Sequence, residues 1–123
     1  MKKLHALLLL SFFTISLFSC KKDDRHCIQV RYISGYCFYP GAGLVEVLQP
    51  NDDATANTHN RHTTYTMALL DLPEEFRVRD KVFFVRYYHD ADLPEAEPRA
   101  CPLDIVPANL FVAKSASLTG CDN

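Results

Sequence analysis

Apolar and polar residues alternate along much of this chain. Cys27, Ile28, Gln29, Val30, Arg31 and Tyr32 carry the period of two expected of a strand with one buried face, and Gly35 ends it. Tyr36, Cys37, Phe38 and Tyr39 form an aromatic stretch that Pro40, Gly41 and Gly43 turn. Residues 44–48 read as a second strand, closed by Pro50. Residues 49–63 contain no large apolar side chain and are rich in Asn, Asp, Thr and His, which predicts a long surface loop. Tyr65, Met67 and Leu69 alternate with Thr64, Thr66 and Ala68 in a third strand. Leu72-Pro73-Glu74-Glu75-Phe76 predicts one helical turn, since proline suits a first helical position and the glutamates suit the positive end of the dipole. After a turn at Asp80-Lys81, residues 82–88 are apolar on both faces, which predicts a central strand. Residues 89–100, with Pro94, Pro98 and four acidic residues, read as a second exposed loop. The apolar block 103–113 contains Pro107 and reads as two short strands or a bulged one.

No segment sustains a 3.6-residue period and no internal repeat is visible. The economical fold is all-β: a small barrel or sandwich of five or six strands with at most one short helix.

The start of the chain follows other rules. Lys2 and Lys3 precede an apolar stretch through Phe18, interrupted by His5, Ser11, Thr14 and Ser16. A transmembrane helix needs about 20 apolar residues, so this segment reads as an export signal spanning residues 1–19. It ends in Leu17, Phe18, Ser19 and Cys20, which resembles the lipobox of bacterial lipoproteins, although Phe18 departs from the small or β-branched residue usual there. The resemblance implies cleavage before Cys20 and acylation of its thiol. Two or more chains anchor stably where one does not, since each buried CH₂ contributes about 0.8 kcal/mol. Lys21, Lys22, Asp23 and Asp24 follow, a start similar to the export tag of surface lipoproteins in Bacteroidetes-type bacteria. The expected organisation is a signal peptide over 1–19, a lipidated charged tether over 20–26 and a β-domain over 27–123.

Setting the signal aside changes the charge. The first 19 residues hold two of the 13 basic residues and none of the 15 acidic ones, so the 104 from Cys20 onward carry a formal net charge of -4. That is one domain, and an acidic one. Nucleic acid is not an expected partner, because its binding needs a clustered cationic face. The acidic residues gather in loops that should face away from the anchor.

Cys20 also resolves the odd cysteine count of five. Cys27, Cys37, Cys101 and Cys121 remain, an even number in a small exported domain, which predicts two disulfides among three possible pairings. The absence of C-x-x-C spacing argues against a zinc finger or a dithiol redox site.

Candidate chemistry is sparse. His59 and His62 lie three apart in the polar loop, and His89, Asp90 and Asp92 open the next one; His59, His62, His89 and Asp90 together would make a nitrogen and oxygen set suited to zinc or copper. They are weak metal candidates, and no cofactor is expected. Ser115, Ser117 and Thr119 lack the setting of an activated nucleophile. Glu74 with Glu75, and Glu95 with Glu97, are adjacent on exposed segments instead of opposed across a cleft. The chain does not read as an enzyme. The most promising surface is aromatic: Tyr32, Tyr36, Phe38 and Tyr39 around a bend, with Tyr36 and Tyr39 expected to be exposed as a binding platform.

The order of parts is a lipobox, a charged tether, a Cys-flanked first strand, Leu-Pro-Glu-Glu-Phe before Asp-Lys-Val-Phe-Phe, a Cys-bearing loop and a closing strand near Leu110-Phe111-Val112-Ala113-Lys114. This resembles the small uncharacterised lipoproteins of Bacteroidetes whose barrel is similar to an OB-fold. The resemblance implies no catalytic residues. It implies a first and a last strand running in the same direction, and hence Cys27 with Cys101 and Cys37 with Cys121, local pairing of Cys27 with Cys37 and Cys101 with Cys121 being the alternative. The function expected is a non-enzymatic binding or structural module, lipid-anchored at the outer-membrane surface and directed at a protein or glycan. An inhibitor of a secreted hydrolase, using residues 51–63 as the inserting element, is the second reading.

Overall fold

The computed structural model describes residues 27–93, 100–102 and 107–121. The expected signal, Cys20 and the tether lie outside the described residues. Six strands follow in order: β1 (Cys27–Gly35), β2 (Gly43–Val47), β3 (Thr55–His59), β4 (His62–Leu70), β5 (Val82–Tyr88) and β6 (Leu110–Ser117), with a 3-10 turn at Glu74–Phe76 between β4 and β5. The protein is all-β, and the described residues contain no α-helix.

Five strands close a barrel. β1 pairs antiparallel with β2 and β5, β2 with β4, and β5 with β6, while β4 and β6 close the ring in parallel. This is the connectivity of a small OB-like barrel. The alternation legible in the sequence becomes its wall. Val30 and Tyr32 of β1, Val45 and Val47 of β2, Met67 and Leu69 of β4, and Phe83, Val85 and Tyr87 of β5 point inward. Phe111 and Ala113 of β6 complete the interior, and Leu72 and Phe76 add to it from the link between β4 and β5. Phe76 meets Phe83 at 4.9 Å, and Tyr87 meets Phe111 edge-on at 5.1 Å. Gly43 sits so close to the ring of Tyr32 that an added Cβ would lie 3.0 Å from it.

β5 has the expected bounds and two neighbours, yet it is not buried on both faces. Its outward residues face solvent, Val82 at 37% and Tyr88 at 45% exposure. A closed barrel surrounds each strand laterally without covering its outside.

Residues 55–59, expected in a loop, form a strand. Among the described residues β3 pairs only with β4, from Thr55 opposite Thr66 to His59 opposite His62, and extends it into a two-stranded ribbon. Asn60 and Arg61 make the two-residue turn with φ of 49° and 65°, the left-handed values of a hairpin turn that matches strand twist. β6 also runs further than expected, through Lys114 to Ser117, with a register shift opposite Arg86 and Tyr87.

The disulfides join Cys27 to Cys121 and Cys37 to Cys101, with Cα separations of 6.0 and 5.8 Å. Neither the pairing implied by the resemblance nor the local alternative is found. β1 and β6 do run in the same direction, but the stagger of the barrel decides which ends meet. From Val30, pairing through Val47 and Tyr65 reaches the level of Pro107, extending the register of Ala68 opposite Leu110. Pairing through Phe83 reaches the level of Leu118, extending that of Phe84 opposite Ser117. The two routes differ by about ten residues, the shear of a strongly tilted barrel. The end of β6 thus returns beside the start of β1, and Cys121 meets Cys27.

Candidate functional site

Of the two tyrosines expected to be exposed at the aromatic bend, one is not. Tyr36 is buried, and its hydroxyl donates to the carbonyl of Ala108 at 3.1 Å and accepts from the amide of Ala108 at 2.9 Å. With Ala42 and Ala68 it forms a second apolar cluster outside the barrel, against which Phe38, Tyr39, Leu44, Leu70 and Leu110 pack. Tyr32 points into the barrel, and Tyr39 is half-buried. The expectation that Tyr36 is exposed fails because the loop folds back onto the sheet, and the Cys37–Cys101 bridge fastens the approach to β6 over it.

The histidine set divides. His59 and His62 face each other as the last pair of the ribbon, both exposed. His89 lies edge-on to Phe111 at 5.9 Å. Among the described residues no three His, Cys, Asp or Glu side chains converge as a metal site, so His89 and Asp90 do not join the other two. Glu74 and Glu75 are exposed on the 3-10 turn, and Glu95 and Glu97 lie outside the described residues. Apart from the tyrosine hydroxyls of Tyr32, Tyr36 and Tyr87, no charged or polar side chain is buried among the described residues.

The structure distinguishes instead the segment from Asn51 to Thr66, which has a fixed base and a free tip. At the base, Asn51 accepts the amide of Asp53 on its side-chain oxygen at 2.7 Å, an Asx turn. Tyr87, rooted in the barrel, donates its hydroxyl to the Asp53 carboxylate at 2.8 Å and accepts from Asn51 Nδ2 at 3.3 Å. Asn109 donates its side-chain amide to the Asp53 carbonyl at 2.8 Å and its backbone amide to Thr55 Oγ1 at 3.0 Å. Burial, helped by the bond to the Asp53 carboxylate, pushes the Tyr87 phenol from 10.0 up to about 12. The side chains of Asn51, Asp53, Thr55, Tyr87 and Asn109 thus hold the point where β3 begins. Nothing in the sequence marks Tyr87 or Asn109 for this work, whereas the Asn-Asp-Asp run carries the turn signal.

Beyond the base the ribbon leaves the barrel. Tyr65 still packs against the core, but residues 58–63 are all exposed. The two faces keep separate bonds, Thr58 to Thr63 between hydroxyls at 2.9 Å on one and Asn57 Nδ2 to Thr66 Oγ1 at 3.2 Å on the other. The outer edge of β3 pairs with no strand among the described residues.

The base also lies at the end of the barrel where β1 begins. Leu48 donates its amide to the Gln29 carbonyl at 3.1 Å. The expected direction of the acidic loops is relative to Cys20, which lies outside the described residues.

Comparison with protein-family models, with curated proteins and with solved structures finds no match to this chain. Among the described residues no helix is long and apolar enough to cross a membrane.

Proposed function

We propose that the chain is a lipid-anchored lipoprotein of the bacterial cell envelope, held in the outer membrane through acylated Cys20 and exposed at the surface. Its stapled barrel acts as a non-enzymatic binding module, and the β3–β4 ribbon is the recognition element. The observation that carries this reading is the ribbon. It adds little to the core, yet its base is secured by Tyr87 and Asn109 while its tip is bare. A rigid mount lowers the ordering cost of binding, and a free edge accepts an extended segment of a partner by strand addition. The partner on this reading is a protein.

Two experiments test it. Metabolic labelling with an alkyne fatty acid should mark the wild-type chain and not Cys20→Ala; label retained on the variant overturns the anchor. A photo-crosslinker placed at Asn60 should capture a partner on intact cells that one at exposed Val78 does not. Equal capture at both positions, or none at Asn60, overturns the role of the ribbon. The projecting tip also suits insertion into a hydrolase cleft. Cells bearing the protein would then resist an added protease or lysozyme more than cells with Asn60 and Arg61 replaced by glycine.

A further inference from the structure

The two histidines at the ribbon tip have a geometry that the sequence spacing alone does not reveal. His59 and His62 are directly opposed across the Asn60-Arg61 turn, so both imidazoles leave the same face of the ribbon. Directly opposed residues hold their Cβ atoms about 4.5–5.5 Å apart, close enough for two imidazoles to reach one ion at metal–nitrogen distances of about 2.0–2.1 Å. Neither imidazole forms a hydrogen bond among the described residues, and both are exposed, so no existing interaction must be broken. The register that opposes them is held from below by the Thr58–Thr63 and Asn57–Thr66 bonds and by Tyr65 on the core.

We infer that His59 and His62 form a two-nitrogen chelate for a late first-row divalent cation, with solvent completing the coordination. Copper(II) binds tightest, following the ordinary affinity order at imidazole sites. Arg61, in the turn itself, is the cation that opposes it, and no acidic side chain lies between residues 54 and 70. The site is therefore one of moderate affinity that selects for imidazole-loving metals over calcium or magnesium, which require oxygen ligands. This inference does not depend on the anchor or on a partner.

The test is titration of the full chain with copper(II) sulfate, read by electron paramagnetic resonance. The wild type should bind one ion at this site with the nitrogen splitting of two imidazoles. His59→Asn and His62→Asn should each show one nitrogen fewer and bind about 100-fold more weakly, since the second imidazole acts as an intramolecular ligand. The double variant His59→Asn/His62→Asn measures any binding by other histidines. A register control keeps the histidine count: His62→Thr combined with Thr63→His moves one imidazole to the opposite face and should bind as weakly as His62→Asn. Copper affinity and splitting unchanged in His59→Asn, or retained in the register control, overturn the chelate, as does a wild type that binds no more tightly than the double variant. Every substitution is at an exposed tip position, so each variant should fold.

Discussion

Replacing Tyr87 by Phe isolates the mount of the ribbon, because the ring stays in the core and only the hydroxyl is lost. That hydroxyl donates to the Asp53 carboxylate at 2.8 Å and accepts from Asn51 at 3.3 Å. A bond to a charged group contributes about 1.5–3 kcal/mol and a long neutral one about 0.5. Asp53 and Asn51 are half-buried and can take water in exchange, so the net loss should be near the low end, about 2 kcal/mol. For a domain under 100 residues this lowers Tm by roughly 10 °C. The pH dependence gives a second readout. Tyr87 titrates near 12 in the folded protein against 10.0 as its ordinary value. The folded state therefore favours the protonated phenol. Its contribution is complete below pH 10 and is lost as pH rises toward 12. Thermal unfolding followed by circular dichroism across this window should show a steep alkaline limb in the wild type and a shallower one in Tyr87→Phe. A near-ultraviolet phenolate titration should lose its latest step in the variant. A variant with the wild-type Tm, or with an unchanged alkaline limb, would refute the assignment of Tyr87 as the anchor.

Other substitutions probe the frame. Gly43→Ala should destabilise by about 1 kcal/mol, measured as a lower denaturation midpoint, because the new methyl meets the Tyr32 ring at 3.0 Å and Leu72 at 3.5 Å while the usual gain over glycine offsets part of the cost. Arg61→Gly should stabilise by about 0.5–1 kcal/mol, since Arg61 holds φ at 65°, where glycine pays no steric cost. Removing the Cys27–Cys121 bridge with paired serines should cost about 4.7 kcal/mol on the chain-entropy estimate for its separation of 94 residues, more than removing Cys37–Cys101 at 64. Equal midpoints for the two disulfide variants and the wild type would contradict that order.

What could be read from the sequence follows from what alternation measures. Period-two patterning reports one face buried against a core, so β1, β2, β5 and the core half of β4 stand out in the residues that line the barrel. β3 has no such pattern because the ribbon stands clear of the core, and Thr-Ala-Asn-Thr-His extends without burying anything large. The Lys114 to Ser117 half of β6 was hidden for a related reason, its small and polar side chains marking a rim where little is covered. Tyr36 deceived in the opposite sense. Its neighbours Pro40, Gly41 and Gly43 announce a turn, but not that the turn folds back so that a tyrosine hydroxyl closes on Ala108, 72 residues away. The cysteine pairing depended on stagger, a property of the closed barrel that no single strand carries. The two histidines came together because a hairpin turn replaced the expected loop.

The crossed bridge also bears on how the domain takes mechanical load. Any pull on the chain ahead of Cys27 enters a residue that is covalently fixed to Cys121, just past the end of β6. β1 cannot be peeled from its first residue inward, because the tension divides between two strands that both pair with β5. Force applied ahead of Cys27 therefore enters β1 and the end of β6 together, so unfolding from this end must disturb two ladders at once.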